Sequence, residues 1–141
     1  MCLHTIKSIL LVEDELLLAQ LTRMQLERVG FSVEIAENGR VAMMSLARKV
    51  PDLMITDLFM DEMDGLETIS LVKRSYPAVR IIAISGGRAS LTMDFLPLAK
   101  AMGADRTIAK PTEFSDLLGL IMELDVPPIP PANPPAERPR E

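Results

Sequence analysis

Five short strand-like runs recur along this chain, and each is followed by a segment in which apolar residues return at helical spacing. The runs are Ile9-Leu10-Leu11-Val12, Phe31 to Ala36, Leu53 to Thr56, Val79 to Ile84 and Arg106 to Ala109. Strand and helix alternating five times predicts an α/β, doubly wound, five-stranded parallel sheet with five helices on its two faces and right-handed crossovers. The central run ends in a carboxylate, Asp57, and leads into Leu58-Phe59-Met60-Asp61-Glu62-Met63-Asp64-Gly65. A buried strand that delivers an acid to the sheet edge just before a turn is how open α/β proteins build a site.

The density of Ile9 to Val12 suits a strand buried on both faces. Leu16 to Val29 reads as a helix with Leu17, Leu18, Leu21, Met24 and Val29 on one side, interrupted by Gln25, and Gly30 as its stop. Phe31 to Ala36 alternates, as an edge strand does. Asn38-Gly39 reads as a turn. Arg40 to Lys49 reads as a helix with Val41, Met44 and Leu46 or Ala47 facing inward. Leu66 to Ser75 is a third helix, ended by Tyr76-Pro77. The stretch from Ser90 to Met102 contains Pro97, so its helix is either kinked or starts near Leu96 with the proline in its first turn. Glu113 to Leu124 is the last helix, with Phe114, Leu117, Leu118, Ile121 and Leu124 as its stripe.

The expected division is a domain over 1–125 and a tail over 126–141. Proline dominates the tail, which reads as polyproline II or disorder. A chain of 141 residues fits one domain. The formal charge of −5 speaks against nucleic acid as the partner. The single cysteine, Cys2, permits no internal disulfide and fits a reducing compartment. The start lacks the apolar core of a signal peptide, and no apolar run reaches the roughly 20 residues that span a bilayer. The expectation is a cytoplasmic protein with no membrane partner.

Three acids, Glu13, Asp14 and Asp57, follow two of the runs, Ser85 follows a fourth strand and Lys110 a fifth. In a doubly wound sheet those carboxyl ends meet in one crevice. Clustered carboxylates repel unless a cation joins them, and Mg²⁺ is the hard, oxygen-seeking ion suited to that place. Lys110 adds a cation that could pair with Asp57 or with a phosphoryl group. Ser85 offers a hydroxyl, and Gly86 a backbone N–H without steric cover. Together these parts suit phosphoryl transfer to a carboxylate.

On Glu13-Asp14, the segment Asp57 to Gly65, Ser85 and Lys110-Pro111, in this order and at these spacings, the chain resembles the receiver domain of two-component response regulators over about residues 7 to 124. The resemblance implies a flavodoxin-like sheet of order 2-1-3-4-5. It implies that Asp57 is the phosphoacceptor, loaded by a sensor histidine kinase or a histidine phosphotransfer protein. Asp14, Asp57 and the backbone carbonyl of Phe59 would ligate Mg²⁺, with Glu13 acting through water. Lys110 would contact the phosphoryl group, with the backbone of Met60 and Gly86 beside it. Ser85 would swing toward it, and the Lys110-Pro111 bond would be cis. Such a protein is a phosphorelay switch and not an enzyme, beyond self-phosphorylation from small donors and slow self-dephosphorylation. Output would be protein contact or onward relay, since no effector follows Leu124. The face over 96–124, with Leu98, Met102, Arg106, Asp116 and Gly119, would pair with a second copy or a target.

Four positions depart from the family pattern. Asp61 stands where proline usually follows Met60. Thr107 takes the switch position that usually holds an aromatic ring. Phe59, bulky and apolar two residues after the acceptor, should impede the water that hydrolyses the acyl phosphate. Ser85-Gly86-Gly87 makes a permissive loop. Thr107 and Asp61 lend some support to an alternative, a receiver fold that binds a partner without phosphate; the intact acids, Ser85 and Lys110 oppose it. An aspartyl-phosphate hydrolase would want a carboxylate where Phe59 stands.

Overall fold

In the computed structural model the described residues are 6–58, 65–85, 96–110 and 113–125. The elements run β1 (Ser8–Val12), α1 (Leu16–Arg28), β2 (Ser32–Ala36), α2 (Gly39–Arg48), β3 (Leu53–Asp57), α3 (Gly65–Ser75), β4 (Arg80–Ser85), α4 (Leu96–Met102), β5 (Arg106–Ala109) and α5 (Phe114–Leu124). The five strands form one parallel sheet in the order β2-β1-β3-β4-β5. The expected fold is therefore present, with β2 at an edge and β3 at the centre. Every residue of β3 is buried, whereas β2 alternates. The expected tail over 126–141 lies outside the described residues, as do Cys2, Asp61 and Pro111.

Strand parity divides the core into two layers. Leu10, Val12, Met54, Ile81 and Ala83 point to one side, where Ala42, Leu46, Ile69, Val72 and Ala99 of α2, α3 and α4 cover them. Ile9, Leu11, Leu53, Ile55 and Ile82 point to the other, where Ala19 and Leu26 of α1 and Leu117 and Ile121 of α5 cover them. Three helices thus fill one face and two the other.

Two helix faces correct the sequence expectation. In α1 the buried residues are Ala19 and Leu26, while Leu17 is 78%, Met24 58% and Leu21 54% exposed. Apolar residues run almost around this helix, so pattern alone cannot say which side meets the sheet. The side carrying small Ala19 lets the helix axis approach closely, and the bulkier side is left outward. In α2, Ala42, Ser45 and Leu46 are buried and Met44 is exposed; of the pair left open, Leu46 faces inward and Ala47 does not. Asn38 is a helix cap, not merely a turn residue: its Oδ1 accepts the Val41 N–H at 2.8 Å. In α4, Pro97 does sit in the first turn of the described helix. Arg106 makes an exposed ion pair, its Nε donating to Glu123 at 3.0 Å.

Two loops are held by backbone demands. Gly30, at φ 110°, ends α1 in the left-handed region that a side chain disfavours. Gly65 opens α3 against the end of β3, its N–H donating to the Leu58 carbonyl at 3.0 Å. A Cβ at Gly65 would overlap the Asp57 carbonyl oxygen and lie 2.6 Å from Leu58 Cα. The helix start and the site strand are therefore in backbone contact. Gly119, in the middle of α5, has nothing within 4 Å of its Cβ direction. We expect Gly65→Ala to destabilise the fold by about 2–3 kcal/mol through overpacking. Gly119→Ala should stabilise it by roughly 0.5–1 kcal/mol through helix propensity. Urea unfolding of both variants checks this; equal effects would show that the Gly65 contact relaxes freely.

Candidate phosphoacceptor site

The register of the sheet sets the site. Val12 pairs with Thr56, Asp57 with Ile84 and Ser85 with Ala109, so four strands end at one level. Glu13 leaves β1 with its N–H donating to the Ala36 carbonyl of β2 at 3.0 Å. Lys110 leaves β5 with its N–H donating to the Ser85 carbonyl at 2.7 Å. Thr56, fully buried, donates its hydroxyl to the Asp57 carbonyl at 2.9 Å and fixes the last peptide of the strand.

Lys110 Nζ lies 2.7 Å from Asp57 Oδ2, a contact made across 53 residues of sequence. It lies 3.6 Å from Glu13 Oε1. The lysine is 28% exposed at its side chain, so it is half-withdrawn from solvent and not a free surface cation. Burial works against its charge, but the hydrogen bond and charge of Asp57, with Glu13 adding to them, outweigh burial and hold the ammonium above its ordinary pKa. Glu13 shows the opposite balance. Burial raises its pKa from 4.5 to about 7; the charges of Asp57 and Asp14 push the same way, against the Glu15 N–H and Lys110. That N–H donates to Glu13 Oε2 at 3.1 Å.

Glu13, Asp14 and Asp57 can each offer one carboxylate oxygen within 4.8 Å of the others. Glu13 and Asp57 are buried and Asp14 is exposed, so the trio opens to solvent on one side. Three hard oxygen donors, one of them pushed toward protonation by burial, are the donor set a small divalent cation fits. Ser85 is buried at the end of β4, on the strand that pairs with β3. Thr107 is partly buried on β5, paired with Ala83. Sequence reasoning thus placed Glu13, Asp14, Asp57, Ser85 and Lys110 at one edge, and the structure brings them there. Phe59, Met60 and Gly86 lie outside the described residues. The role of Gly65 was missed; its position closing the acidic turn was the only signal.

Glu13 is protonated more readily in the fold than in the unfolded chain. A raised carboxyl pKa adds stability that is complete below about pH 4.5 and is lost as pH rises through about 7. The loss is on the order of 3 kcal/mol for a shift of this size. Metal-free protein should therefore lose stability from pH 5 to 8 relative to Glu13→Gln, and millimolar Mg²⁺ should recover it at pH 8. Chemical denaturation at the two pH values measures this. Parallel profiles for the two proteins would refute the burial argument.

A family model described as the response regulator receiver domain matches residues 9–122. The photosynthetic apparatus regulatory protein RegA of Rhodobacter capsulatus is 31% identical over 131 residues, covering 91% of this chain and 68% of RegA. The luminescence regulatory protein LuxO of Vibrio campbellii is 34% identical over 103 residues, 73% of this chain but 22% of LuxO. The chain therefore spans about a fifth of LuxO. Among solved structures, a CheY-like receiver domain protein from Methanospirillum hungatei superposes with a TM-score of 0.77 at 27% identity, covering 85% of this chain and 94% of that one. Sequence and fold agree over the strands that carry the acids and the lysine, and the chain belongs to the response regulator receiver domain family of two-component systems.

Proposed function

We propose that the protein is a phospho-aspartate signalling switch. Asp57 accepts a phosphoryl group from a phosphohistidine on a sensor kinase or phosphotransfer protein. A carboxylate oxygen attacks phosphorus, the P–N bond breaks, and the imidazole leaves with a proton; an acyl phosphate remains on Asp57. The observation that carries this reading is the Lys110 ammonium, 2.7 Å from Asp57 and 3.6 Å from Glu13, beside a trio of acids. That arrangement places a cation beside the attacking carboxylate, where the charge of the incoming phosphoryl oxygens must be met.

Asp14 and Asp57 would hold Mg²⁺ directly and Glu13 through water, with the Phe59 carbonyl as a further ligand. The ion supplies charge neutralisation for the phosphoryl oxygens. On phosphorylation the lysine exchanges its carboxylate contact for the phosphoryl group. The Ser85 hydroxyl, at the end of the neighbouring strand, approaches from the other side. Thr107 is too small to fill the space an aromatic ring would occupy, so the response to phosphate is carried by Ser85 and the backbone around it. The protein takes up one phosphoryl group per molecule and does not turn over a substrate.

Access for a donor is supported by the outward side of α1. Leu17, Leu21 and Met24 form an exposed apolar strip on the helix that directly follows Glu13 and Asp14. The face over 96–124 remains the proposed output surface; Leu98 and Met122 are exposed on its helices.

Incubation with acetyl phosphate and Mg²⁺, followed by intact mass measurement, tests the proposal. The expected gain is one phosphoryl group of about 80 Da, absent in Asp57→Ala and abolished by EDTA. Mg²⁺ binding without any mass gain would overturn it and favour a receiver fold that works by phosphate-independent contact.

A further inference from the structure

Because only α1 and α5 cover their side of the sheet, an apolar groove remains between them. Its upper part, about 530 Å³, is lined by Leu18, Leu21, Leu117 and Phe114, and ends at Glu13 and Lys110. Its lower part, about 520 Å³, is lined by Ile6, Val29, Phe31, Leu118 and Met122. Along α5 the two parts follow one another, from Met122 and Leu118 up to Leu117 and Phe114. Nothing among the described residues fills either part.

The chain supplies an occupant. After Asp125 comes Val126-Pro127-Pro128-Ile129-Pro130-Pro131, an apolar run that the switch itself does not use. Its starting point is fixed at the mouth of the groove. Asp125 Oδ1 accepts the Ile6 N–H at 2.8 Å, and the Asp125 N–H donates to the Ile121 carbonyl at 2.9 Å. Ile6 is itself a lining residue. Six residues at about 3.1 Å each reach roughly 19 Å. The helix alongside, eleven residues long, spans about 16 Å at 1.5 Å per residue.

The chemistry also matches. Proline has no N–H, so a proline-rich strand enters an apolar groove with few donors to leave unpaired. Its preset φ reduces the entropy lost on docking, and the covalent tether raises its effective concentration. Phe31 and Phe114 give each part of the groove one aromatic edge, the kind of surface on which proline-rich segments dock. Farther along, Arg138 and Arg140 are within reach of the acidic upper end, where Glu13, Asp14, Glu15 and Glu113 lie.

We propose that residues 126–131 dock in the α1–α5 groove of their own chain and cover its apolar lining.

The test compares ¹⁵N amide spectra of the full-length chain with those of the full-length double variant Val126→Asp and Ile129→Asp. Both changes lie beyond the described core, so folding is preserved. We expect the amides of Leu18, Leu21, Leu117 and Leu118 to shift between the two proteins. Differences confined to residues after Ile121 would overturn the proposal. So would groove shifts that vanish on dilution together with a dimer in sedimentation, which would make a second copy the occupant. No phosphoryl group is needed, so a chain that shows these shifts yet gains no mass at Asp57 would refute the switch and leave the contact standing.

Discussion

The interaction on which this structure turns is the lysine drawn into a cluster of acids. Asp57 and Glu13 are both buried, and two carboxylates placed that close together repel. Lys110 Nζ, 2.7 Å from one and 3.6 Å from the other, supplies one positive charge for two negative ones. Burial first, and then the charge of Asp57, raise the Glu13 pKa to about 7, while the carboxylates hold the ammonium charged. The site is thus one positive charge short of neutrality before Asp14 is counted. Such a deficit is a liability for folding and an advantage for binding: the groups that repel in the metal-free protein are those that gain most from a divalent cation.

That cluster exists only because the sheet is parallel and its strands end in register. Glu13, Asp57 and Lys110 come from three separate strands, and a slip of one residue in β3 would turn Asp57 to the opposite face. The end of β3 is fixed locally: Thr56 donates to the carbonyl of Asp57, and Gly65 brings the start of α3 against the backbone of the same residue. The apolar core therefore does more than stabilise. Met54, Ile55 and their neighbours on both faces set the depth at which a carboxylate reaches solvent.

The sequence made the site more legible than the packing. Each chemical residue lies one or two places after an aliphatic run, and a run that short can only be a strand in such an alternation, so Glu13, Asp57, Ser85 and Lys110 had to converge. The orientation of α1 was not legible in the same way. Leu16, Leu17, Leu18, Leu21 and Met24 spread over more of the helix than one face can bury, and the choice fell to the side of Ala19, whose small side chain permits close approach to the sheet. Met44 was misplaced for a related reason: Ser45, polar but small, takes the buried position in α2. Asn38 was read as a turn former although its cap on Val41 uses the same local chemistry. Sequence pattern reports hydrophobicity, whereas packing also selects for size. The pKa of Glu13 was out of reach because it depends on burial, which no linear pattern reports.

The outward leucines of α1 and the charge deficit at Glu13 are linked in space. Glu13 and Lys110 line the upper end of the groove whose walls are Leu18, Leu21, Leu117 and Phe114. Whatever covers that groove removes water from the side of Glu13 that faces it. Less water there disfavours the ionised carboxylate further and strengthens the field of the remaining charges. The same cover would hold Lys110 more firmly to Asp57, since a desolvated pair separates less easily. An apolar surface next to this acidic site is thus more than a place to dock. Through two side chains that belong to both, its occupancy is felt as charge at Asp57.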